Sequence, residues 1–386
     1  MADAATPSGL FGDDAAGTID PGAARTGVLP YQTLKHMLRE GELSATHPIT
    51  ADQVQPASLD LRLGRFAYRV RASFLPGPGA TVRERVDQLD GYPIDISDGA
   101  VLERGCVYVI ELLEWLDLKG GLSAFANPKS STGRLDILTR LITDRGQTFD
   151  IIDRGYKGPL YVEVAPRTFS VVVRTGTRLN QVRFRRGSPR LAISELRRLH
   201  DAGALVAGPD APPALADDRV AVSVDLEGSG PGALVGFRAK KHTDRIDLEK
   251  VAHYDPAQFW EPIHRHQSPS MVLNPDDFYI LATREEVRVP PEFAAEMVAY
   301  DTTVGEFRVH YAGFFDPGFG CEPTSGSRAV LEVRSHEVPF MLEHGQTIGF
   351  LRYERMAAKP DRLYGTGIGS NYQNQGLRLA KQFRQD

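Results

Sequence analysis

Leu160-Tyr161-Val162-Glu163-Val164 and Ala329-Val330-Leu331-Glu332-Val333 repeat one pattern at an offset of 169 residues. Each sets a glutamate among apolar and β-branched residues in a short run, the pattern of a buried strand. Outward from this pair, the same offset brings Thr175-Gly-Thr177 onto His344-Gly-Gln346 and Phe184 onto Tyr353. Tyr108-Val-Ile-Glu-Leu112 falls on Tyr279-Ile-Leu-Ala-Thr283 at an offset of 171, and Ser58-Leu-Asp-Leu61 has a looser echo in Ser223-Val-Asp-Leu226. A near-constant offset across several strands predicts two copies of one β unit. Glu163 and Glu332 then read in two ways, as half-exposed strand residues or as pocket bases with raised pKa values.

The rest of the chain fits this frame. Residues 1–27 are small, polar and rich in Gly, Ala and Asp, which predicts a disordered lead-in. Tyr31 to Glu40 carries Leu34, Met37 and Leu38 at helical spacing. Ala57 to Gly64 alternates and predicts a strand closed by a turn at Gly64. Further strands are predicted in Val101–Leu113, Leu160–Val164, Phe169–Arg174 and Leu179–Phe184, and a helix in Ser194–Leu199. The Gly- and Pro-rich stretch 201–216 reads as a linker, giving a first domain over 28–200 and a second over 217–386. The fold class is mainly β: two tandem barrel-like or sandwich-like units with a few short helices.

Composition narrows the function. Of 386 residues, 41% are hydrophobic and 25% charged, with a net charge of −5, which does not favour a nucleic-acid polymer as partner. Two cysteines, Cys106 and Cys321, can supply neither a disulfide framework nor a multi-cysteine metal site. No apolar run approaches a membrane span and no secretory leader pattern is evident, so a cytoplasmic protein is expected.

The chemistry-bearing stretch of the first copy is Asn127-Pro-Lys-Ser-Ser-Thr-Gly-Arg134. Lys129, Ser130, Ser131, Gly133 and Arg134 bring two cations, two hydroxyls and free backbone N–H groups to one turn, as a phosphate requires. A solvated turn before a helix is the plain alternative. The matching place in the second copy, Tyr300-Asp-Thr-Thr-Val-Gly-Glu306, has no arginine. Conversely, Tyr311-Ala-Gly-Phe-Phe-Asp-Pro-Gly-Phe-Gly320 answers to Phe149-Asp-Ile-Ile-Asp-Arg-Gly-Tyr-Lys-Gly158, which lacks the Ala-Gly pair. Ala312 and Gly313 beside Tyr311, Phe314 and Asp316 make either a tight turn that reads a flat heterocycle through its main chain or a hairpin with core phenylalanines. The end, 365–386, sets Tyr372, Gln375, Arg378 and Lys381 after glycines, as in a lid over a charged ligand or a plain tail.

These motifs resemble the dCTP deaminase branch of the trimeric dUTPase-like proteins. The resemblance rests on Gln55 to Gly64, Lys129 to Arg134 and Leu179-Asn-Gln-Val182 in copy one, and on Asp276 to Ala282, Ala312 to Gly318 and the Tyr-Gln-Asn-Gln-Gly tail in copy two. It implies two tandem dUTPase-like distorted β-barrel or jelly-roll domains. Ser130 and Arg134 become the phosphate-side catalytic pair, with Lys129, Ser131 and Gly133 beside them. Tyr311 to Asp316 becomes the base turn, either Glu332 or Glu163 the general base, and Gln346 and the C-terminal arm further substrate contacts. Single-copy relatives draw each site from neighbouring subunits, and some two-domain viral dUTPases divide their motifs. The complementary losses here therefore predict one composite site spanning the halves.

The implied reaction is hydrolytic deamination of dCTP to dUTP and ammonia, in the supply of dTTP precursors. The H-x-E…P-C-x-x-C signature of zinc deaminases is absent from the sequence, so the expected water activation is by glutamate, without zinc. Mg²⁺ would enter on the triphosphate. Implied partners are dCTP, dUTP and, as a feedback ligand, dTTP, in a homo-oligomer built as a trimer or dimer of two-domain chains. Two other readings stay open: a dUTPase or bifunctional enzyme, and a non-catalytic nucleotide sensor.

Overall fold

The computed structural model describes residues 25–207, 214–228, 232–299, 307–309, 313–321, 326–335, 337–365 and 376–385. The chain is mainly β, with a first-copy sheet that wraps on itself. Its order is Ile137–Thr143, Lys157–Pro166, Val107–Asp117, Leu59–Val70, Arg178–Arg186, Leu122–Pro128 and Ile151–Ile152. The long strand Leu59–Val70 joins the two sides. Leu59 lies opposite Val182 at one end and Val70 opposite Val107 at the other. The turn expected at Gly64 is not there, because the strand continues through it. The register shifts between Leu63 and Ala67, and a Cβ on Gly64 would lie 2.5 Å from the Glu111 carbonyl oxygen. Glycine here permits a close backbone approach at a bulge.

In the second copy the same role is divided. Arg219–Ser223 pairs with Thr347–Arg355, while Leu234–Ala239 pairs with Phe278–Val287. The repeat offsets are register positions of the sheets. Glu163 lies opposite Val109 and Glu332 opposite Ile280, while Val164 faces Tyr108 and Val333 faces Tyr279. The ladders also move the base turn by one residue from the expected alignment. Phe314 pairs with Glu296 as Ile151 pairs with Phe125, so Asp316 stands in the place of Asp153.

The halves interlock. Val171–Val173 pairs with Ala100–Leu102 on one edge and, in parallel, with Ile246–Asp247 of the second half on the other. Arg174 closes this seam with a bond to Asp247 at 2.7 Å. Beside it, Phe169 packs edge-on against Phe259 and Trp260, and Phe383 packs on the same two rings. The chain's end is thus docked in the core. Phe383 and Ala380 are fully buried, and the Ala252 N–H donates to the Lys381 carbonyl at 2.9 Å. The segment expected as a lid therefore includes an anchored stretch, 376–385.

Two helices sharpen the boundaries. Ile193–Asp201 buries Leu196 and Leu199 in the second copy's core, and Val206 pairs with Val287. The second core thus begins before the stretch expected as a linker. Val82–Gln88 was not expected, although its capping box is written in the sequence. The Thr81 hydroxyl accepts from the Glu84 N–H at 3.2 Å, and the Glu84 carboxylate accepts from the Thr81 N–H at 2.7 Å. Val82 and Val86 cover Val70, Val109, Ile142 and Tyr161 on the outer face of the first sheet.

Candidate active site

A cavity of about 560 Å³, a size suited to a small ligand, is lined by residues of both halves. From copy one come Lys129, Ser130, Ser131 and Arg134; from copy two come Gly313, Phe314, Asp316, Glu332 and Lys381. Tyr311, Ala312, Tyr372 and Gln375 lie outside the described residues.

The serine turn is a single helical turn, Ser130–Gly133, started by backbone bonds. The Lys129 carbonyl accepts from the N–H groups of Thr132 at 2.8 Å and Gly133 at 3.0 Å, and the Lys129 N–H donates to the Leu179 carbonyl at 2.9 Å. Thr132 fixes the turn by donating to Leu179 O at 2.6 Å. Among the described residues the hydroxyls of Ser130 and Ser131 make no hydrogen bond, which leaves both available to a ligand.

Two charged clusters share the cavity. In the first, Lys129 bonds Asp60 at 2.5 Å, and Arg178 reaches Asp52 at 2.8 Å and Asp60 at 3.7 Å. Burial draws the Lys381 ammonium below its ordinary pKa, and the nearby Lys129 and Arg178 add to the effect. Three cations lining one cavity make a seat for a multiply charged anion. The sequence does not single out Arg178 and Asp60 as ligand groups, although both sit in motifs that carry the family resemblance or adjoin one.

In the second cluster, burial pushes the Glu332 carboxyl up to about 8, against the pull of the Arg134 charge, while Asp136 raises it further. Desolvation wins here because the residue is only 5% exposed and its carboxyl has no side-chain hydrogen-bond partner among the described residues. Arg134 is anchored from the chain's end, its Nη1 donating to the Arg378 carbonyl at 3.1 Å.

The base turn is held from copy one. Arg183, fully buried, bonds Asp316 at 2.9 Å and the Ala295 carbonyl at 3.0 Å, and stacks over Phe314 at 4.1 Å. Burial raises the Asp316 carboxyl despite that arginine. Phe314 meets Phe125 edge-on at 4.9 Å, and Phe315 meets Phe319 at 5.0 Å, giving one wall an aromatic floor.

Four sequence candidates do not line this cavity. Glu163 is enclosed in copy one, bonded to Arg140 at 2.5 Å, and Arg140 in turn reaches Ser73 at 2.7 Å and covers Phe149 at 3.8 Å. Its place is filled by the chain's own side chains. Gln346 sits in a copy-two turn, where its side chain accepts from the Glu343 N–H at 3.1 Å. Its repeat partner Thr177 lines the cavity instead. Gly133 is buried beneath the turn, accepting from the Asp136 N–H at 2.8 Å, and Arg378 contributes a carbonyl.

Sequence profiles of the 2'-deoxycytidine 5'-triphosphate deaminase N-terminal domain and C-terminal domain match residues 25–188 and 192–383. The chain belongs to the dCTP deaminase family. By that membership it is an enzyme. Its domain boundary falls where Leu191 enters the second core. A crystal structure of 2'-deoxycytidine 5'-triphosphate deaminase from Agrobacterium tumefaciens is similar, with 54% identity and a TM-score of 0.83 over 87% of this chain and all of that one. Among curated relatives, the dUMP-forming dCTP deaminase of Pseudarthrobacter chlorophenolicus is 31% identical over 36% of this chain and 75% of its own. That of Kocuria rhizophila is 31% identical over 39% and 82%. No described helix is long and apolar enough to cross a membrane.

Proposed function

We propose that the composite cavity binds dCTP and replaces its C4 amino group with oxygen. One observation carries this reading: Glu332 shares the cavity with Ser130 and Arg134, whereas its twin Glu163 is sealed away on Arg140. Lys129, Arg178 and Lys381 bind the triphosphate, and the aromatic floor around Phe314 holds the pyrimidine. Glu332, as carboxylate, takes a proton from water as the oxygen attacks C4, and the same proton then goes to the departing nitrogen. The C4–N bond breaks, ammonia leaves, and the added hydroxyl passes its proton to N3 as C4 becomes a carbonyl. Ser130 and Arg134 stabilise charge that develops during the attack. Asp52 and Glu249 are carboxylates lining the same cavity, and Mg²⁺ carried on the triphosphate would neutralise phosphate charge beside them.

A second reading extends the first: the dUTP formed is hydrolysed onward to dUMP. The names of the Pseudarthrobacter and Kocuria relatives favour it. Against it stands Asp316, the carboxylate suited to holding water for that step, which is already bonded to Arg183. Incubation with dCTP, with ammonia, dUTP and dUMP resolved over time, tests both. Ammonia with dUTP supports deamination alone, and ammonia with dUMP supports the extended reaction. Binding of dCTP without ammonia would return the protein to a nucleotide sensor.

A further inference from the structure

Taking Glu332 as base and Arg134 as its cationic partner, we propose that Asp136 and Arg334 are a positioning pair that sets these two side chains against each other across the halves. Arg334 Nη2 bonds the Asp136 carboxylate and also reaches the Thr168 hydroxyl at 3.0 Å, and that hydroxyl donates to the same Asp136 oxygen at 2.5 Å. The pair is sealed, with 5% of the Arg334 side chain and 1% of the Asp136 side chain exposed. Arg334 Nη1 is held by the Asp276 carbonyl. Asp136 adopts the left-handed backbone, φ 55°, with its N–H on Gly133 O and its own carbonyl accepting from Arg167. Non-glycine residues keep that conformation only where their surroundings demand it.

The spacing gives the pair its purpose. Asp136 follows Arg134 by two residues on copy one, and Arg334 follows Glu332 by two on one face of a copy-two strand. Two cations and two anions therefore meet at one seam. The bond between Asp136 and Arg334 therefore ties the turn that carries Arg134 to the strand that carries Glu332 and fixes the two side chains relative to each other. Copy one lacks this arrangement. The position matching Arg334 is Ala165, and there Glu163 is bonded by a neighbouring arginine, Arg140.

Asp136→Asn and Arg334→Gln separate positioning from folding. Both should lower kcat for dCTP by about tenfold or more with KM within about threefold, since small misplacements of reacting groups cost rate rather than binding. Asp136→Asn should also move the rising limb of kcat/KM to lower pH, because losing the nearby anion eases ionisation of Glu332. Arg334→Lys, which keeps the charge, should recover most of the loss. If Arg334→Gln fails to fold, Asp136→Asn carries the test, with its thermal melt recorded alongside. Wild-type kcat and pH profile in folded Asp136→Asn overturn the proposal. So does a loss of activity that tracks the folded fraction alone. The underlying reading fails separately, and only if Glu332→Gln retains turnover.

Discussion

Glu332 and Glu163 occupy one position in two copies of the same sheet, opposite Ile280 and Val109, yet only Glu332 lines the cavity. The difference lies in what covers each strand. Copy one covers its own glutamate with Arg140, itself stacked on Phe149, while copy two leaves Glu332 facing the serine turn of copy one.

That relationship predicts opposite outcomes for two identical substitutions. Glu332→Gln keeps size and polarity but cannot accept a proton, so deamination should fall by at least ~10³-fold while dCTP still binds. Glu163→Gln should leave kcat within about threefold and act on stability through the lost ion-pair partner of half-buried Arg140, by about 1 to 2 kcal/mol. Ammonia release and denaturant melts on both variants check this; the reverse ranking would give copy one its own site.

The Glu332 carboxyl, raised to about 8 by burial, makes activity and stability depend on pH in opposite senses. The base is the carboxylate, so kcat/KM should climb with unit slope up to about pH 8. Stability runs the other way. A carboxyl whose folded pKa exceeds its unfolded value favours the fold fully below the unfolded value of 4.5 and loses that contribution as pH rises through about 8. Glu332→Gln should therefore gain in Tm over the wild type between about pH 5 and pH 9. A constant Tm gap across that range would show that Glu332 does not titrate as stated.

Arg134→Ala should lower kcat/KM for dCTP by at least ~10²-fold, as the loss of a charge-assisted partner at a developing charge does. Steady-state rates on a variant with a normal melt decide it. Near-normal turnover would remove the serine turn from the reaction.

Zinc should be dispensable. Two cysteines 215 positions apart provide no zinc-deaminase ligand set. Treatment with a zinc-selective chelator, followed by Mg²⁺ resupply, should leave turnover unchanged. One tightly held zinc per chain that is required for activity would sink the glutamate mechanism.

Much of this was written locally. Strand alternation and a constant repeat offset made the duplication legible, because each copy must bury the same sheet faces. The serine turn was legible because hydroxyls and cations within six residues are a contiguous signal. The Val82–Gln88 helix was legible too, through Thr81 and Glu84, but its short length lets β neighbours mask it. Gln346 and Thr177 show the limit: equal repeat positions carry equal backbone roles, while the ligand side depends on which copy faces the cavity.

The sequence by itself determined the two β units, and it offered the serine turn, an aromatic turn and two candidate glutamates. Tertiary structure alone decided which glutamate meets Arg134, that Lys129, Arg178 and Lys381 converge, and that Arg334 of one half locks Asp136 of the other. The physical reason is range. Strand periodicity and turn chemistry act between neighbours in the chain, whereas burial, charge pairing and the raised carboxyl of Glu332 arise between residues about 200 positions apart, brought together only when the two copies close on each other.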